Sequence, residues 1–369
     1  LKKNGKSWMC AALAGILWIG GSVPAGSMQE DRITETEGIE DTGEVLIQAH
    51  AGASSIAPEN TMAAFRAAKE IGADGIETDV RMTKDHHLVL HHDNSIDNTS
   101  DGSGYISQMT LEELKTCDFG SWFGQEYAGE KILTLEECLT AAEELDFSVL
   151  NLELKPVSED AEDFVHLAAD TIQASPMADR VMVCSFDSQL LKELKAYAPE
   201  IHAAMLTIPD LSILSLFNLS VFMPKDKPLR DYTMEDVARI PEGVASLLRS
   251  FGAKGNSKEE ILLETIADIT AVVPVNTTWN ELEEMIEEQS DLVSFVDGLG
   301  FSIDSLNCHF NSLSSKLMDA MEERGITVNV WTPDKEWELK KVLSFNPAGI
   351  ITNEPETALE IREGKSVEL

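Results

Sequence analysis

Cysteine is scarce and scattered in this chain of 369 residues: there are five. Beyond Cys10 they stand at Cys117, Cys138, Cys184 and Cys308, with no C-x-x-C pair among them. That spacing excludes a thiolate zinc site and suggests no disulfide framework, so the thiols are expected to be free and buried. Basic residues are also few, 28 Lys and Arg against 65 Asp and Glu, which leaves a formal charge of −37. Such a surface repels polyphosphate backbones and anionic bilayers, which argues against nucleic acid or a polybasic membrane dock. An anionic substrate would need a metal ion or clustered cations to offset the field. No G-x-G-x-x-G turn follows the first β-rich run, which argues against a dinucleotide-binding open sheet. No internal repeat is visible. After Gly26 no apolar run is long enough to cross a bilayer.

What is present begins with a targeting pattern. Lys2, Lys3 and Lys6 precede an apolar stretch from Trp8 to Ile19, followed by Gly20, Gly21, Ser22, Ala25 and Gly26. A basic head, a short apolar body and a small-residue end describe a signal peptide over residues 1–27, and hence an exported, secreted or envelope-associated protein without stable membrane insertion after cleavage. The alternative is an uncleaved N-terminal anchor. Residues 28–44 are acidic and almost free of large apolar side chains, the composition of a flexible linker.

From Val45 to the end at residue 369, short β-rich runs alternate with longer amphipathic ones. Strands are expected at 45–49, 75–80, 147–155, 180–186, 201–207, 301–306, 326–331 and 348–352, with an extension near 87–92. Helices are expected at 61–71, 135–145, 161–172, 188–197, 314–324, 335–343 and 354–362, and Thr134 is a good N-cap. Eight βα units are the recipe for a closed (β/α)₈ TIM barrel. Two stretches interrupt the rhythm. Residues 94–131, after the second strand region, form a small loop insertion with one short helix near 111–114. Residues 209–290, after the fifth strand, are far longer than a βα connection. This insertion holds an apolar run at 211–223 and an acidic helix at 280–288, and is either a lid or an ornament remote from the chemistry.

Barrel sites gather at the C-terminal ends of the strands. Those ends carry His50, Glu77 with Asp79, His92, Glu153 with Lys155, Trp331 and Thr352. Glu77 and Asp79 are two residues apart on a strand and share its inner face. Two like charges there call for a cation. Asn151-Leu-Glu153-Leu-Lys155 repeats the pattern, turning Leu152 and Leu154 to the helices. Three carboxylates at one mouth suit a hard divalent ion, Ca²⁺ or Mg²⁺. His50 and His92 flank them as a general acid and a general base. Neighbouring strand residues face opposite ways, so only one of His91 and His92 enters the site, and Asp93 is placed to orient His92.

Several segments carry a family resemblance. Ala49-His-Ala-Gly-Ala53, Pro58-Glu-Asn-Thr61, Gly72-Ala-Asp-Gly-Ile-Glu-Thr-Asp79, Thr83-Lys-Asp85 and His92-Asp93 resemble the glycerophosphodiester phosphodiesterases in order and spacing. Thr134-Leu-Glu136, Leu152-Glu-Leu-Lys155, Ser185-Phe186, Val330-Trp-Thr332 and Gly349-Ile-Ile-Thr352 agree. The resemblance implies metal-dependent hydrolysis of small glycerophosphodiesters to an alcohol and glycerol 3-phosphate. His50 and His92 would do the acid–base chemistry, Glu77, Asp79 and Glu153 would hold the metal, and Lys155 would contact phosphate. Trp331 is expected to line the substrate.

Three positions depart from the family pattern. Ala51 replaces the arginine of the usual H-R-G, Asn98 stands where an arginine commonly follows the His-Asp loop, and Asn353 where an aspartate commonly follows the last strand's Thr. An arginine lost at 51 is a bidentate phosphate clamp lost, and Arg81 is the expected substitute. Two other functions stay open: a weakened barrel that binds phosphodiesters without turnover, and a related phospholipase acting on intact lipids.

Overall fold

The structure is a computed structural model that describes residues 44–157, 160–208, 224, 226–238, 240, 257–270 and 277–364. The segments expected as a signal peptide and a linker, up to residue 43, and the apolar run 211–223 lie outside the described residues. No helix among the described residues is long and apolar enough to cross a membrane.

The strands are β1 Leu46–His50, β2 Gly75–Met82, β3 Leu88–Leu90, β4 Val149–Leu154, β5 Val181–Ser185, β6 His202–Leu206, β7 Ser305–His309, β8 Thr327–Trp331 and β9 Gly349–Thr352. β1 pairs in parallel with both β2 and β9, so eight strands close into a barrel. β3 is an added strand, antiparallel to β2, with Val89 opposite Arg81. The surrounding helices are α1 Met62–Ile71, α2 Leu111–Thr116, α3 Leu135–Glu144, α4 Ala161–Gln173, α5 Ser188–Tyr197, α6 Lys258–Thr270, α7 Trp279–Glu288, α8 Leu292–Gly298, α9 Ser315–Glu322, α10 Glu336–Leu343 and α11 Pro355–Arg362. The eight-stranded TIM barrel expected from the alternation is the observed fold.

Local chemistry sets the element ends. Thr61 caps α1 through Ala64 N, and Gly72 stops it in the left-handed region at φ 94°. Thr134 and Glu137 form a reciprocal capping box on α3. Ile47, Ala49, Ile76, Val80, Leu152 and Leu154 join Phe65, Leu139 and Phe164 of the helices in the main core. The barrel interior below the mouth is polar instead. Asn151 Nδ2 donates to Gln48 Oε1 at 3.1 Å, and Asn329 Nδ2 to Asn307 Oδ1 at 2.9 Å. All four amides are buried, and this pairing offsets the cost of desolvating them.

That polar interior explains the displaced sixth barrel strand, β7. Residues 301–306 look apolar enough for it, yet β7 is Ser305–His309. Leu306 and Cys308 pack into the outer core while Ser305, Asn307 and His309 are buried polar residues. The long connection also holds more helix than residues 280–288, since α6 and α8 flank α7. Leu229, Tyr232, Ile261, Trp279 and Leu282 of this connection cluster with Cys184, Phe186, Leu206 and Trp331 of the barrel. Its described part therefore packs on the β5–β8 side of the barrel. Cys138, Cys184 and Cys308 are buried free thiols, and Cys117 is half-buried and free.

Candidate active site

After β1 the chain reverses through Ala51 and Gly52, both left-handed at φ 52° and 78°. The Ala51 amide thereby donates to Glu77 Oε2 at 3.3 Å. Gly52 is required here, since a Cβ would meet the Ala64 Cβ at 2.7 Å. Asn60, also left-handed, donates its backbone amide to Ala51 O at 2.9 Å. Its side chain donates to Asp79 Oδ2 at 2.8 Å and accepts from the Asp79 amide at 3.3 Å. Asn60 is thus a positioning residue that the sequence reading quoted only within a motif.

Glu77, Asp79 and Arg81 share one face of β2, and the register sets Asp79 beside Glu153 of β4. Glu77, Asp79 and Glu153 are buried, and each offers an oxygen within 4.8 Å of the others. Lys155 Nζ lies 2.9 Å from Asp79 Oδ1 and 2.7 Å from Glu153 Oε1. These are ion-pair distances, yet neither oxygen has an aligned hydrogen-bond donor. One ammonium faces three carboxylates, which leaves two negative charges if all ionise. The charges respond accordingly. Burial, Asp79 and Glu153 push the Glu77 carboxyl well above the usual range. Burial raises Glu153 too, against the pull of Lys155, whereas in Asp79 burial is outweighed by Lys155, His92 and His50 together, which hold the pKa low. The residual negative charge and the all-carboxylate donor set fit a hard divalent cation.

The two histidines sit at the same mouth. His50 Nδ1 lies 2.9 Å from Asn353 Oδ1, and its Nε2 lies 3.7 Å from Glu77 Oε2. Its side chain keeps 21% exposure, and burial of the rest lowers its pKa to about 4. His92 Nδ1 lies 3.0 Å from Asp93 Oδ1. Burial and Lys155 oppose its protonation, but Asp79 and Asp93 outweigh them and its pKa is raised. His91 is engaged elsewhere through both ring nitrogens, 2.8 Å from Asp93 O and 2.7 Å from Thr99 Oγ1.

The guanidinium of Arg81, the expected substitute for the missing phosphate clamp, donates to neighbouring protein acceptors. Its Nε donates to His91 O at 3.2 Å and His92 O at 3.0 Å, one terminal nitrogen donates to Asn94 Oδ1 at 2.7 Å, and the other reaches His92 O. The antiparallel return of β3 brings these carbonyls over the guanidinium, and a register argument on β2 alone does not contain that return. Trp331 lies in the apolar cluster, edge-on to Phe186 at 5.4 Å, with its indole N–H donated to Asn307 O. Asn98 is exposed, 3.4 Å from Asp93 Oδ2. A second possible metal group among the described residues, Glu162, His166 and Glu193, lies on α4 and α5 outside the barrel.

Comparison with known proteins agrees with this geometry. Residues 50–212 match the glycerophosphoryl diester phosphodiesterase family. The chain is 41% identical over 161 residues to the glycerophosphodiester phosphodiesterase of Caldanaerobacter subterraneus, covering 44% of this chain and 66% of that protein. It is 36% identical over 178 residues to the homologue YhdW of Bacillus subtilis, covering 48% of this chain and 72% of YhdW. The chain thus spans about two thirds of the length of these relatives. Among solved structures, an Oleispira antarctica phosphodiesterase in complex with the product sn-glycerol-3-phosphate superposes with a TM-score of 0.58 at 22% identity, over 86% of this chain and 96% of that one. A glycerophosphodiester phosphodiesterase from Agrobacterium tumefaciens superposes with a TM-score of 0.54 at 18% identity, over 85% and 98% of the two chains. At such identities these structures speak for the fold, and the sequence relatives speak for descent: the chain belongs to the glycerophosphoryl diester phosphodiesterase family.

Proposed function

We propose that this protein hydrolyses glycerophosphodiesters to an alcohol and glycerol 3-phosphate, with a divalent ion held by Glu77, Asp79 and Glu153. One observation carries the reading. Three buried carboxylates, one buried ammonium and two partly exposed imidazoles converge on one end of a barrel. The metal, Ca²⁺ or Mg²⁺, would supply charge neutralisation at the phosphoryl oxygens. Lys155, buried and cationic, adds a fixed positive charge beside it.

His50 and His92 form the acid–base pair. A hydroxyl of the substrate's own glycerol attacks phosphorus, and one imidazole takes its proton. The other imidazole gives a proton to the departing alcohol oxygen as the P–O bond breaks. Water then opens the resulting cyclic phosphate with the roles reversed. An internal nucleophile needs little from the protein beyond orientation, because its effective concentration is already high. Arg81 contributes by holding the His91 and His92 carbonyls, and so the end of the strand that presents His92.

The long connection reads as a cover for the apolar half of the mouth, with Trp331 and Phe186 beneath it. The reading is tested by assaying glycerol 3-phosphate release from glycerophosphocholine and related diesters. Metal-stimulated release supports the enzyme, and tight binding without release supports a non-hydrolytic barrel. Action on intact phospholipids alone supports a phospholipase.

A further inference from the structure

Asn353, where the family pattern commonly has an aspartate, is gripped from both ends. Its Nδ2 donates to Asp334 Oδ2 at 2.8 Å, and its backbone amide donates to Asp334 Oδ1 at 2.9 Å. A carboxylate accepts, so the NH₂ end of the amide must face Asp334 and the oxygen must face away. That oxygen accepts from Ser54 Oγ at 3.1 Å and lies 2.9 Å from His50 Nδ1. An amide oxygen has only lone pairs to offer, so the hydrogen between the two groups belongs to His50 Nδ1. Nε2, the ring atom on the Glu77 side, then carries the exchangeable position that faces the reaction centre.

We propose that Asn353, locked by Asp334, is a positioning residue that fixes His50 as its Nδ1–H tautomer and aims Nε2 into the carboxylate mouth. The inference rests on the reading of His50 as an acid–base group. An amide is an ambiguous orienter, because its nitrogen and oxygen ends are nearly the same shape. Unanchored, it would present NH₂ to the ring and select the opposite tautomer. Asp334 removes that ambiguity. The neutral amide also adds no further charge beside a ring that is already 3.7 Å from Glu77. His92 is held differently, by the Asp93 carboxylate itself.

The test has a kinetic arm and a spectroscopic arm, both on the full-length protein. Asn353→Leu removes the acceptor, and it should lower kcat about 10- to 100-fold with KM little changed, the usual cost of losing an outer-shell orienter. Asn353→Asp combined with Asp334→Asn swaps donor and acceptor across their contact, keeps an acceptor oxygen on His50 and should restore most of that loss, and Asp334→Ala alone should fall between the two. Histidine-labelled ¹⁵N NMR of the wild-type protein should show His50 protonated at Nδ1 and bare at Nε2, whatever the assay gives. Wild-type kcat in Asn353→Leu, failure of the Asp334→Asn, Asn353→Asp double variant to restore it, or an Nε2–H signal for His50 would each overturn the proposal. A wild-type protein that turns over no glycerophosphodiester would instead overturn the reading of the activity, while the NMR spectrum still decides the tautomer.

Discussion

The Lys155 ammonium stands 2.9 Å from Asp79 Oδ1, with both side chains only 1% exposed. A pair so deeply buried is a poor source of net stability, because desolvation consumes much of its attraction. Its setting gives it another use, since Glu153 shares the same ammonium and Glu77 is left without its own counter-charge. The cluster is short of positive charge, the deficit a divalent ion would fill.

Metal should therefore stabilise the fold by mass action. At 100-fold excess over its Kd, Ca²⁺ or Mg²⁺ should add about 2.7 kcal/mol, read as a rise in Tm by calorimetry. Glu77→Gln, Asp79→Asn and Glu153→Gln should each blunt the rise. A Tm indifferent to divalent ions would remove these three residues as ligands.

The histidines separate by role. His50→Ala and His92→Ala should each lower turnover by at least about 10²-fold, the low end for a lost acid or base. His91→Ala breaks two buried hydrogen bonds, to Asp93 O and Thr99 Oγ1. It should cost stability, about 1–3 kcal/mol for the Thr99 hydroxyl left unsatisfied, and leave the acid–base step in place. Urea unfolding alongside the assay distinguishes the two effects. A catalytic loss for His91→Ala at unchanged stability would mean that the wrong histidine has been assigned.

Arg81 tests how the site manages without an arginine at position 51. With its guanidinium on the His91 and His92 carbonyls, Arg81→Ala should act on kcat through a loosened His92. A clamp on phosphate would instead show as a raised KM with kcat preserved. Steady-state kinetics of Arg81→Ala decides between them, and a pure KM effect would restore the clamp.

Acid sensitivity should have a contribution far from the chemistry. His202, at the start of β6, lies 2.7 Å from Ser305 Oγ through Nε2, and burial lowers its pKa against the pull of Asp304. Below about pH 6.5 the unfolded chain takes up a proton that the native protein refuses. The contribution is thus full above that pH and is lost as the pH falls toward the depressed native value. His202→Gln should flatten the slope of stability against pH below about 6.5. An unchanged slope would place the loss elsewhere.

Much of the barrel is legible in the sequence because its outward strand residues and helix faces follow the two ordinary periods, as Leu152, Leu154, Phe65 and Ala68 show. The sixth barrel strand, β7, is not, since Ser305, Asn307 and His309 bury polar atoms where apolar ones are expected. The carboxylates and histidines are legible because the strand ends alone bring them together. Asn60 and Asp334 are not, because their importance lies in hydrogen bonds to residues 19 positions away. The partners of Arg81 are hidden for the same reason: they arrive on the antiparallel return of β3, which the face of β2 alone does not reveal.

The most direct measurement of the central claim is ³¹P NMR of glycerophosphocholine incubated with the full-length protein after exhaustive chelation, and again after Ca²⁺ or Mg²⁺ is restored. The account predicts no loss of the diester signal in the chelated sample, and conversion to glycerol 3-phosphate once metal returns, abolished in Asp79→Asn. Undiminished conversion in the chelated sample, or undiminished conversion by Asp79→Asn, would contradict it.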